Sequence, residues 1–395
     1  MDSRTPVIVS AVRTPIGRFG GSLATTPATD LGAAAIRGAL ERIELDPGLV
    51  EEVLMGQVVQ AGSGQAPARQ AALTAGLPSD KVSATTVNKV CGSGLKTIMW
   101  AASMIRNNEA NVIVAGGMES MNQCPYLLDQ ARTGYRLGHG TMYDAVVYDG
   151  LWCAFEDHHM GNSAEWIAQE FGLAREELDQ YALNSHQKAA RAQDEGKFDS
   201  EIVPVKLPAK KRGQEATWFK QDEGIRRDTT LEKLAKLRPA FQKDGIVTAG
   251  NAPGITDGAA ATVVMAMETA SELGLEPIAR ITAYAQAAVP PIEIFTAPVF
   301  AVRKLLAKTG QTIDDFDLIE ANEAFAAQCV ANGIALEWDW DKVNVHGGAI
   351  ALGHPIGCSG TRVMVTLLHA LQDRGLKHGL ATLCLGGGEA VAMSV

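Results

Sequence analysis

Four short stretches of this 395-residue chain place nucleophilic or proton-transferring side chains next to glycines. Cys91 lies in VNKVCGSGL, after the β-favouring run Ser83–Val87 and before apolar residues at helical spacing. A cysteine at such a turn lies beside free helix N–H groups and the positive end of the helix dipole, which favour the thiolate. The other stretches are NEAF, which begins at Asn322, GGAIALGHPIG, which contains His354, and CLGGG, which begins at Cys384.

Each of these residues also has a purely structural interpretation. Cysteine is a common buried residue, so Cys91 and Cys384 could fill space in a core. Asn322 could cap a helix, and His354 could be a loop histidine with satisfied hydrogen bonds. Together, however, they would supply a nucleophile, a base, a second acid or base and, with glycine N–H groups, oxyanion donors. The set therefore predicts nucleophilic catalysis if the fold brings its members to one place.

The elements that must position these residues follow one another twice along the chain. In the first half, the patterns predict strands at 7–12, 53–59, 83–87 and 112–115, and helices at 30–43, 67–75 and 95–105. Thr29 or Asp30 is the expected N-cap of the first helix, and the strand at 112–115 is expected to end in Gly116-Gly117. Strands that alternate with helices of this length predict a parallel sheet covered by helices.

The last 120 residues repeat this order at 278–284, 299–308, 312–322, 343–345, 357–360, 381–385 and 389–395. The last of these strands, 389–395, has its counterpart at 259–267. The residues from about 119 to 250, which show helical periodicity at 164–170 and 176–192, therefore interrupt the first half. We therefore expect an α/β protein of two duplicated, layered αβα halves with an inserted α+β loop domain. The predicted boundaries are 1–118 plus 251–270 and 271–395 for the halves and 119–250 for the insert. A pseudo-twofold relation would then bring Cys91 and His354 together.

Composition narrows the classes of function. Hydrophobic residues form 46% of the chain and charged residues 20%, as in compact soluble proteins. A net charge of −10 argues against a general nucleic-acid-binding protein, which is normally basic. The N-terminal stretch lacks signal-peptide features, no apolar run reaches the roughly 18 residues of a membrane span, and the six cysteines form no metal-type CxxC pair. We expect reduced thiols, a cytoplasmic location, no metal, and neither a membrane nor a nucleic acid as partner.

Eight motifs in a fixed order make the chain resemble the thiolase family over its full length. They are NKVCGSG, AGGMESM, HMGNSAE, KLRPAF, TAGNAPGITDGAAA, NEAFAAQ, GGAIALGHPIG and CLGGG. The family fold, two βαβαβ-type halves with a loop domain inserted in the first, agrees with the duplication. The resemblance implies ping-pong acyl transfer on CoA thioesters, in which acyl-CoA and CoA are substrates and no cofactor is needed.

The resemblance also implies a role for each candidate. Cys91 would attack the thioester and hold the acyl group, while His354 takes its proton. Cys384 would move a proton on or off the α-carbon of the second acetyl unit. The N–H groups of Cys91 and Gly386 would stabilise the thioester oxyanion, and His354 with a water held by Asn322 would stabilise the enolate. An α-proton beside a thioester is too weakly acidic to leave without such support.

A second set of residues is expected, by resemblance, to bind CoA and the acyl group: Leu151, His159, Met160, Arg226, Phe241, Ala249 and Phe325. Arg226 would lie near the adenine. Alternatively, Arg226 and Arg227 are an ordinary solvated pair and Met160 belongs to the core. The basic run at 206–212 could meet the 3′-phosphate or form a solvated loop.

Three departures from the family pattern concern the same pocket. Pro253 stands where a serine usually binds the pantetheine amide, and proline has neither a hydroxyl nor an N–H. Ile294 and Phe295, within IEIFTA, replace part of a glycine-rich stretch near the acyl end. Ala390 follows the glycine run where glycine is usual.

The activity expected from the resemblance is that of an acetyl-CoA C-acetyltransferase, the reversible condensation of two acetyl-CoA to acetoacetyl-CoA and CoA. The alternative within the family is a degradative 3-ketoacyl-CoA thiolase of broader chain length. Two alternatives lie outside the family's activity. One is an acyl-CoA- or lipid-binding protein without turnover. The other is a decarboxylating condensing enzyme, which usually needs a second histidine where Cys384 stands. A homotetramer or homodimer is expected, with a contact supplied by residues 119–145.

Overall fold

The computed structural model describes residues 3–207 and 215–395, so most of the basic run at 206–212 lies outside the described residues. Its strands are β1 (Pro6–Arg13), β2 (Gly17–Arg18), β3 (Glu52–Gly56), β4 (Ser83–Val87), β5 (Val112–Ser120), β6 (Tyr126–Leu127), β7 (Tyr143–Asp144), β8 (Trp152–Cys153), β9 (His158–His159), β10 (Val205–Leu207), β11 (Thr217–Phe219), β12 (Thr256–Ala266), β13 (Ala279–Arg280), β14 (Ala283–Ala288), β15 (Leu318–Ala321), β16 (Gly379–Leu385) and β17 (Glu389–Ser394). Its α-helices are α1 (Ala28–Glu41), α2 (Pro67–Ala75), α3 (Ser93–Arg106), α4 (Met160–Glu170), α5 (Arg175–Asp194), α6 (Leu231–Ala235), α7 (Met267–Glu272), α8 (Ala297–Thr309), α9 (Ala326–Leu336), α10 (Ala349–Leu352) and α11 (Ile356–Arg374). No helix of these ranges is long and apolar enough to cross a membrane.

Two large sheets share one topology. The first has the order β13-β1-β12-β5-β3-β4, with β3 parallel to β4 and β5, and β12 antiparallel to β5 and β1. The second has the order β14-β17-β16-β15, with β15 parallel to β16, and β17 antiparallel to β16 and β14. Val343 extends this sheet by a parallel bridge to Ile319 in β15. The strands of each half can be numbered in chain order, with β13 left out and the Val343 bridge taken as the third strand of the second half. Both sheets then have the spatial order first, fifth, fourth, second and third. This shared order confirms the predicted duplication and α/β class.

The helices α3 and α11 lie between the two sheets, and their apolar side chains share one hydrophobic core with β5, β12, β16 and β17. They cross at glycines near their N-terminal ends. A Cβ on Gly360 would lie 2.2 Å from the Leu95 nitrogen, and one on Gly94 would lie 2.6 Å from the Thr361 nitrogen. Only glycine permits so close an approach of two backbones. The crossing therefore places the loops that precede the two helices side by side.

The remaining helices cover the outside of this arrangement. Helices α1 and α2 pack on the other face of the first sheet, and α8 packs on that of the second. Helices α4 and α5, which lie within the predicted insert, pack with α9 around a third core that includes Phe295, Phe325 and Cys384. This core is the one nearest to the candidate residues. The division into two halves and an insert at the boundaries given above stays a prediction.

The structure corrects several local predictions. Helix α1 begins at Ala28 after an extended Pro27, so neither Thr29 nor Asp30 is its N-cap. Strand β5 does not end at Gly116-Gly117 but continues to Ser120. Glycine is needed at 117 because a Cβ there would lie 2.1 Å from the Gly357 carbonyl oxygen. The predicted strand at 278–284 is divided, since β13 pairs with β1 in the first sheet whereas β14 pairs with β17 in the second. The predicted strand at 343–345 is reduced to the single bridge of Val343.

Candidate active site

The turn that carries Cys91 is held in a strained conformation. Val90 has φ +45°, a left-handed value that β-branched residues rarely adopt. The Val90 N–H donates to Asn88 Oδ1 (2.9 Å), and the Ser93 hydroxyl donates to the Val90 carbonyl (2.6 Å). The Lys89 N–H donates in turn to Ser93 Oγ (2.9 Å). Because these bonds fix the turn independently of Cys91, the thiol has a defined position directly before α3.

The glycine turn after β16 packs directly against this cysteine turn. A Cβ on Gly92 would lie 2.1 Å from Leu385 Cδ2, and one on Gly386 would lie 2.9 Å from Val90 Cγ1. The backbone N–H groups of Gly386 and of Cys91 itself both hydrogen-bond the Cys91 sulfur. Two N–H donors from different halves of the chain thus converge on the same atom.

His354 lies in the short link between α10 and α11 and is buried. Its Nδ1 is 2.6 Å from Ser359 Oγ. The Asn322 amide nitrogen is 3.4 Å from Nε2 and 3.5 Å from Nδ1. Because these two distances are nearly equal, the amide does not lie on the lone-pair axis of either nitrogen. Burial and then the Arg362 guanidinium lower the pKa of His354 to about 3, so the imidazole is neutral near pH 7.

Asn322 directly follows β15, and its N–H donates to the Thr382 carbonyl of the neighbouring β16 (3.0 Å). Its Oδ1 is buried, and none of the described residues donates a hydrogen bond to it. A buried acceptor without a partner is costly, so this oxygen fits a bound water or a substrate donor. The water-holding role expected for Asn322 stays a prediction.

Burial raises the pKa of both cysteine thiols. That of Cys91 rises to about 12, despite its N–H donors. Burial and then the Cys91 thiol raise the pKa of Cys384 well above its usual range. The expectation that the helix N-terminus favours the Cys91 thiolate is therefore wrong, because desolvation exceeds the effect of the donors. Each thiol must give up its proton to a base during the reaction.

A mainly apolar cavity of about 220 Å³ opens onto these groups. Of the predicted residues, its lining includes Cys91, Leu151, His159, Met160, Phe241, Phe325, His354, Cys384 and Gly386. The His159 ring stacks on Phe241 at 4.8 Å, and Phe325 packs edge-on against both Phe241 and Phe295. Asn322 is not part of the lining and lies against His354.

Two predicted CoA contacts lie elsewhere. Arg226 and Ala249 are both exposed and are joined by a bond from Arg226 Nη1 to the Ala249 carbonyl (3.2 Å). Neither lines the cavity. The neighbouring Arg227 pairs with Asp194 at 2.8 Å between half-exposed side chains. A role for Arg226 at the adenine end stays a prediction.

Models of known protein families match nearly the whole chain. Residues 6–268 match the thiolase N-terminal domain, and residues 275–395 match the thiolase C-terminal domain. This chain belongs to the thiolase family. Its two duplicated sheets are those of the thiolase fold.

Relatives extend the similarity over nearly the whole chain. An acetyl-CoA acetyltransferase of Pseudomonas aeruginosa is 55% identical over 389 residues, 98% of either chain. A probable acetyl-CoA acyltransferase of Staphylococcus aureus is 51% identical over the same shares. The crystal structure of the Bacillus anthracis acetyl-CoA acetyltransferase matches this thiolase with a TM-score of 0.96 at 44% identity, covering 99% of this chain and 98% of that one.

Two buried carboxylates of this thiolase were not among the predicted site residues. Glu119, at the end of β5, accepts N–H bonds from Val58 (2.9 Å), Val59 (3.3 Å) and Gly357 (2.9 Å), and so joins the first half to the start of α11. Burial raises its pKa to about 8. Glu119 lies within the motif AGGMESM, but the motif did not indicate its role, because its partners are distant in the chain.

Glu323 is the second carboxylate, and it follows Asn322 directly. It accepts bonds from Tyr181 (3.0 Å) and Ser185 (2.7 Å) of α5. It also accepts bonds from Asn344 Nδ2 and the Ile350 N–H, each at 3.0 Å. These four bonds connect the strand end at Asn322 to the segment that leads to His354. The NEAF motif pointed to this position, but its partners could not be read from the sequence.

Proposed function

We propose that this thiolase is an acetyl-CoA acetyltransferase, which condenses two acetyl-CoA to acetoacetyl-CoA and CoA in a reversible reaction. The observation that supports it most directly is the convergence of Cys91, Cys384 and His354 on one cavity, with the Gly386 N–H on the Cys91 sulfur. The relatives from Pseudomonas aeruginosa and Staphylococcus aureus, at 55% and 51% identity over nearly the full chain, are named as an acetyl-CoA acetyltransferase and a probable acetyl-CoA acyltransferase.

In the first half-reaction, Cys91 attacks the thioester carbonyl while His354 takes the thiol proton. A neutral imidazole is required for this step, and burial keeps His354 neutral. The thioester oxygen receives the N–H groups of Cys91 and Gly386, which already point at the sulfur. The proton on His354 then goes to the sulfur of the departing CoA, and the acetyl group stays on Cys91.

In the second half-reaction, Cys384 first passes its proton to the free Nε2 of His354, and the resulting thiolate removes an α-proton from the next acetyl-CoA. The enolate oxygen is stabilised by the protonated Nε2 of His354 and by a donor held at Asn322 Oδ1. The enolate carbon attacks the acetyl group on Cys91, and the Cys91 thiolate that leaves takes up the proton from His354, so that both cysteines are thiols again. The substrate thioesters are the only reactants that this cycle needs, so we propose no cofactor or metal.

Brief incubation with acetyl-CoA tests the nucleophile. Peptide mass spectrometry should find one acetyl group per chain, on Cys91. A Cys91→Ser variant, which keeps the shape of the site, should accumulate far less label. Acetylation of another residue would contradict the proposal.

A degradative thiolase of broader chain length is the second candidate. It is favoured by the wholly apolar acyl end, where the buried Ile294 and Phe295 line the cavity. Thiolysis rates for acetoacetyl-CoA and for longer 3-ketoacyl-CoA substrates separate the two. Preference for the longer substrates would favour the second candidate.

We also propose a cytoplasmic homotetramer or homodimer. The bacterial relatives support the location, and the exposed apolar side chains of Tyr126, Leu128, Leu137 and Met142 support a contact within 119–145. Light scattering of the intact chain and of a Leu137→Ser variant tests that contact, since loss of assembly is expected only if the segment is buried between subunits.

A further inference from the structure

The hydroxyl of Ser359 lies between His354 and the backbone of α11. Ser359 is fully buried in the first turn of that helix. Its Oγ is 2.6 Å from His354 Nδ1 and 2.9 Å from the Pro355 carbonyl oxygen. The position was not among the candidate residues, because nothing in the run GCSG distinguishes this serine from a helix residue.

The two contacts share a single hydroxyl proton. A carbonyl oxygen can only accept, so the short contact between Ser359 and Pro355 requires the hydroxyl to donate to the carbonyl. The other contact then needs a proton on His354 Nδ1, donated to the Ser359 oxygen. If the hydroxyl instead donated to Nδ1, two oxygen acceptors would face each other without a proton in a buried place, which is costly.

The second ring nitrogen is therefore the base. His354 is neutral, so it carries one ring proton, and with that proton on Nδ1 the Nε2 lone pair is free. The Asn322 amide does not occupy that lone pair, since it lies almost equally far from both nitrogens. Nε2 can thus take the proton of a cavity thiol without prior rearrangement.

We propose that Ser359 is a positioning residue that holds His354 in the Nδ1–H tautomer and so keeps Nε2 as the proton acceptor. Its catalytic consequence rests on the proposed function, but the tautomer itself does not. Without the serine oxygen, Nδ1–H would lose its acceptor, and the ring would be free to protonate at Nε2 or to turn. Both changes remove the base without altering the CoA-binding wall.

The tautomer is measured by long-range ¹H–¹⁵N NMR on deuterated, ¹⁵N-histidine-labelled protein, without substrate. The signals of His354 are those missing from a His354→Gln variant. We expect the Nδ1–H pattern in the wild type and a mixture or the Nε2–H pattern in Ser359→Ala. An Nε2–H tautomer in the wild type, or the same tautomer in both proteins, would overturn the proposal.

Kinetics give a second readout. In Ser359→Ala, kcat for acetoacetyl-CoA thiolysis should fall by about tenfold, the value of one lost hydrogen bond, with KM within twofold. Thr366→Val is the matched control, because it removes a buried hydroxyl from the same helix, and among the described residues this hydroxyl donates a side-chain hydrogen bond only to Glu201, at 3.4 Å. It should leave kcat and the tautomer unchanged. An equal fall in both variants would show a structural effect of the helix. A wild type that never acetylates Cys91 would refute the proposed function and leave the tautomer result intact.

Discussion

The packing of Gly386 against Val90 predicts how a single methyl group should disable the first half-reaction. In Gly386→Ala the new Cβ would lie 2.9 Å from Val90 Cγ1 and 3.4 Å from Cγ2, so one of the two turns must move. Overpacking of this kind costs ~1–3 kcal/mol. The strained turn is the one that positions the Gly386 N–H against Cys91. A misplaced oxyanion donor lowers the rate by ~100-fold or more.

The assay is the rate of Cys91 acetylation by acetyl-CoA in rapid-quench mass spectrometry. We expect a fall of about 100-fold in Gly386→Ala, with the far-UV circular dichroism unchanged. Val90→Ala removes the clashing methyl groups and eases a strained φ, so it is the matched partner variant. The double variant should regain at least ~10-fold of the lost rate. Wild-type acetylation in Gly386→Ala, or no recovery in the double variant, would refute the reasoning.

Three further predictions follow from other contacts of the site. Lys89 Nζ lies 2.6 Å from Glu389 Oε2, and this ion pair between partly exposed side chains joins the two turns. Glu389→Gln should therefore slow acetylation only up to ~5-fold, and the Lys89→Glu/Glu389→Lys exchange should restore the rate. Faster acetylation in Glu389→Gln would contradict this prediction. Because burial raises the pKa of Cys91 to about 12, the thiolate fraction is small at pH 7. The rate of Cys91 alkylation by iodoacetamide should therefore rise about tenfold per pH unit up to pH 9. A plateau of this rate near pH 7 would show a stabilised thiolate instead. Phe295→Leu should increase kcat/KM for a six-carbon relative to a four-carbon 3-ketoacyl-CoA by ~10-fold, since Phe295 lines the cavity and is expected, by resemblance, near its acyl end. An unchanged ratio would place the chain-length limit elsewhere.

Much of the fold could be predicted because strands and helices have local signals. The range of β4 and that of α2 coincide with the prediction, since β4 is a β-favouring run and α2 begins at Pro67 and ends before Gly76. The duplication was visible because both halves keep one order of elements. The end of β5 was wrongly expected at Gly116-Gly117. These glycines lie within the strand, where Gly117 permits the close approach of Gly357, and no local pattern records that approach.

The site was predicted less completely for a related reason. Cys91, His354 and Cys384 stand out by residue type and by their glycine-rich surroundings. Glu119 and Ser359 do not, because their roles depend on partners that only the folded chain brings near: Gly357 is 238 residues from Glu119. The thiolate prediction failed because the helix dipole is a local feature, whereas the desolvation that exceeds it comes from burial by both halves.

If Cys91 carries the acetyl group and Cys384 moves the α-proton, as proposed, the two half-reactions should separate in one variant. Cys384→Ala, incubated with acetyl-CoA and quenched, should show Cys91 fully acetylated, while acetoacetyl-CoA formation falls by ~100-fold or more. Wild-type condensation by Cys384→Ala, or an acetyl group found on a residue other than Cys91, would contradict the account.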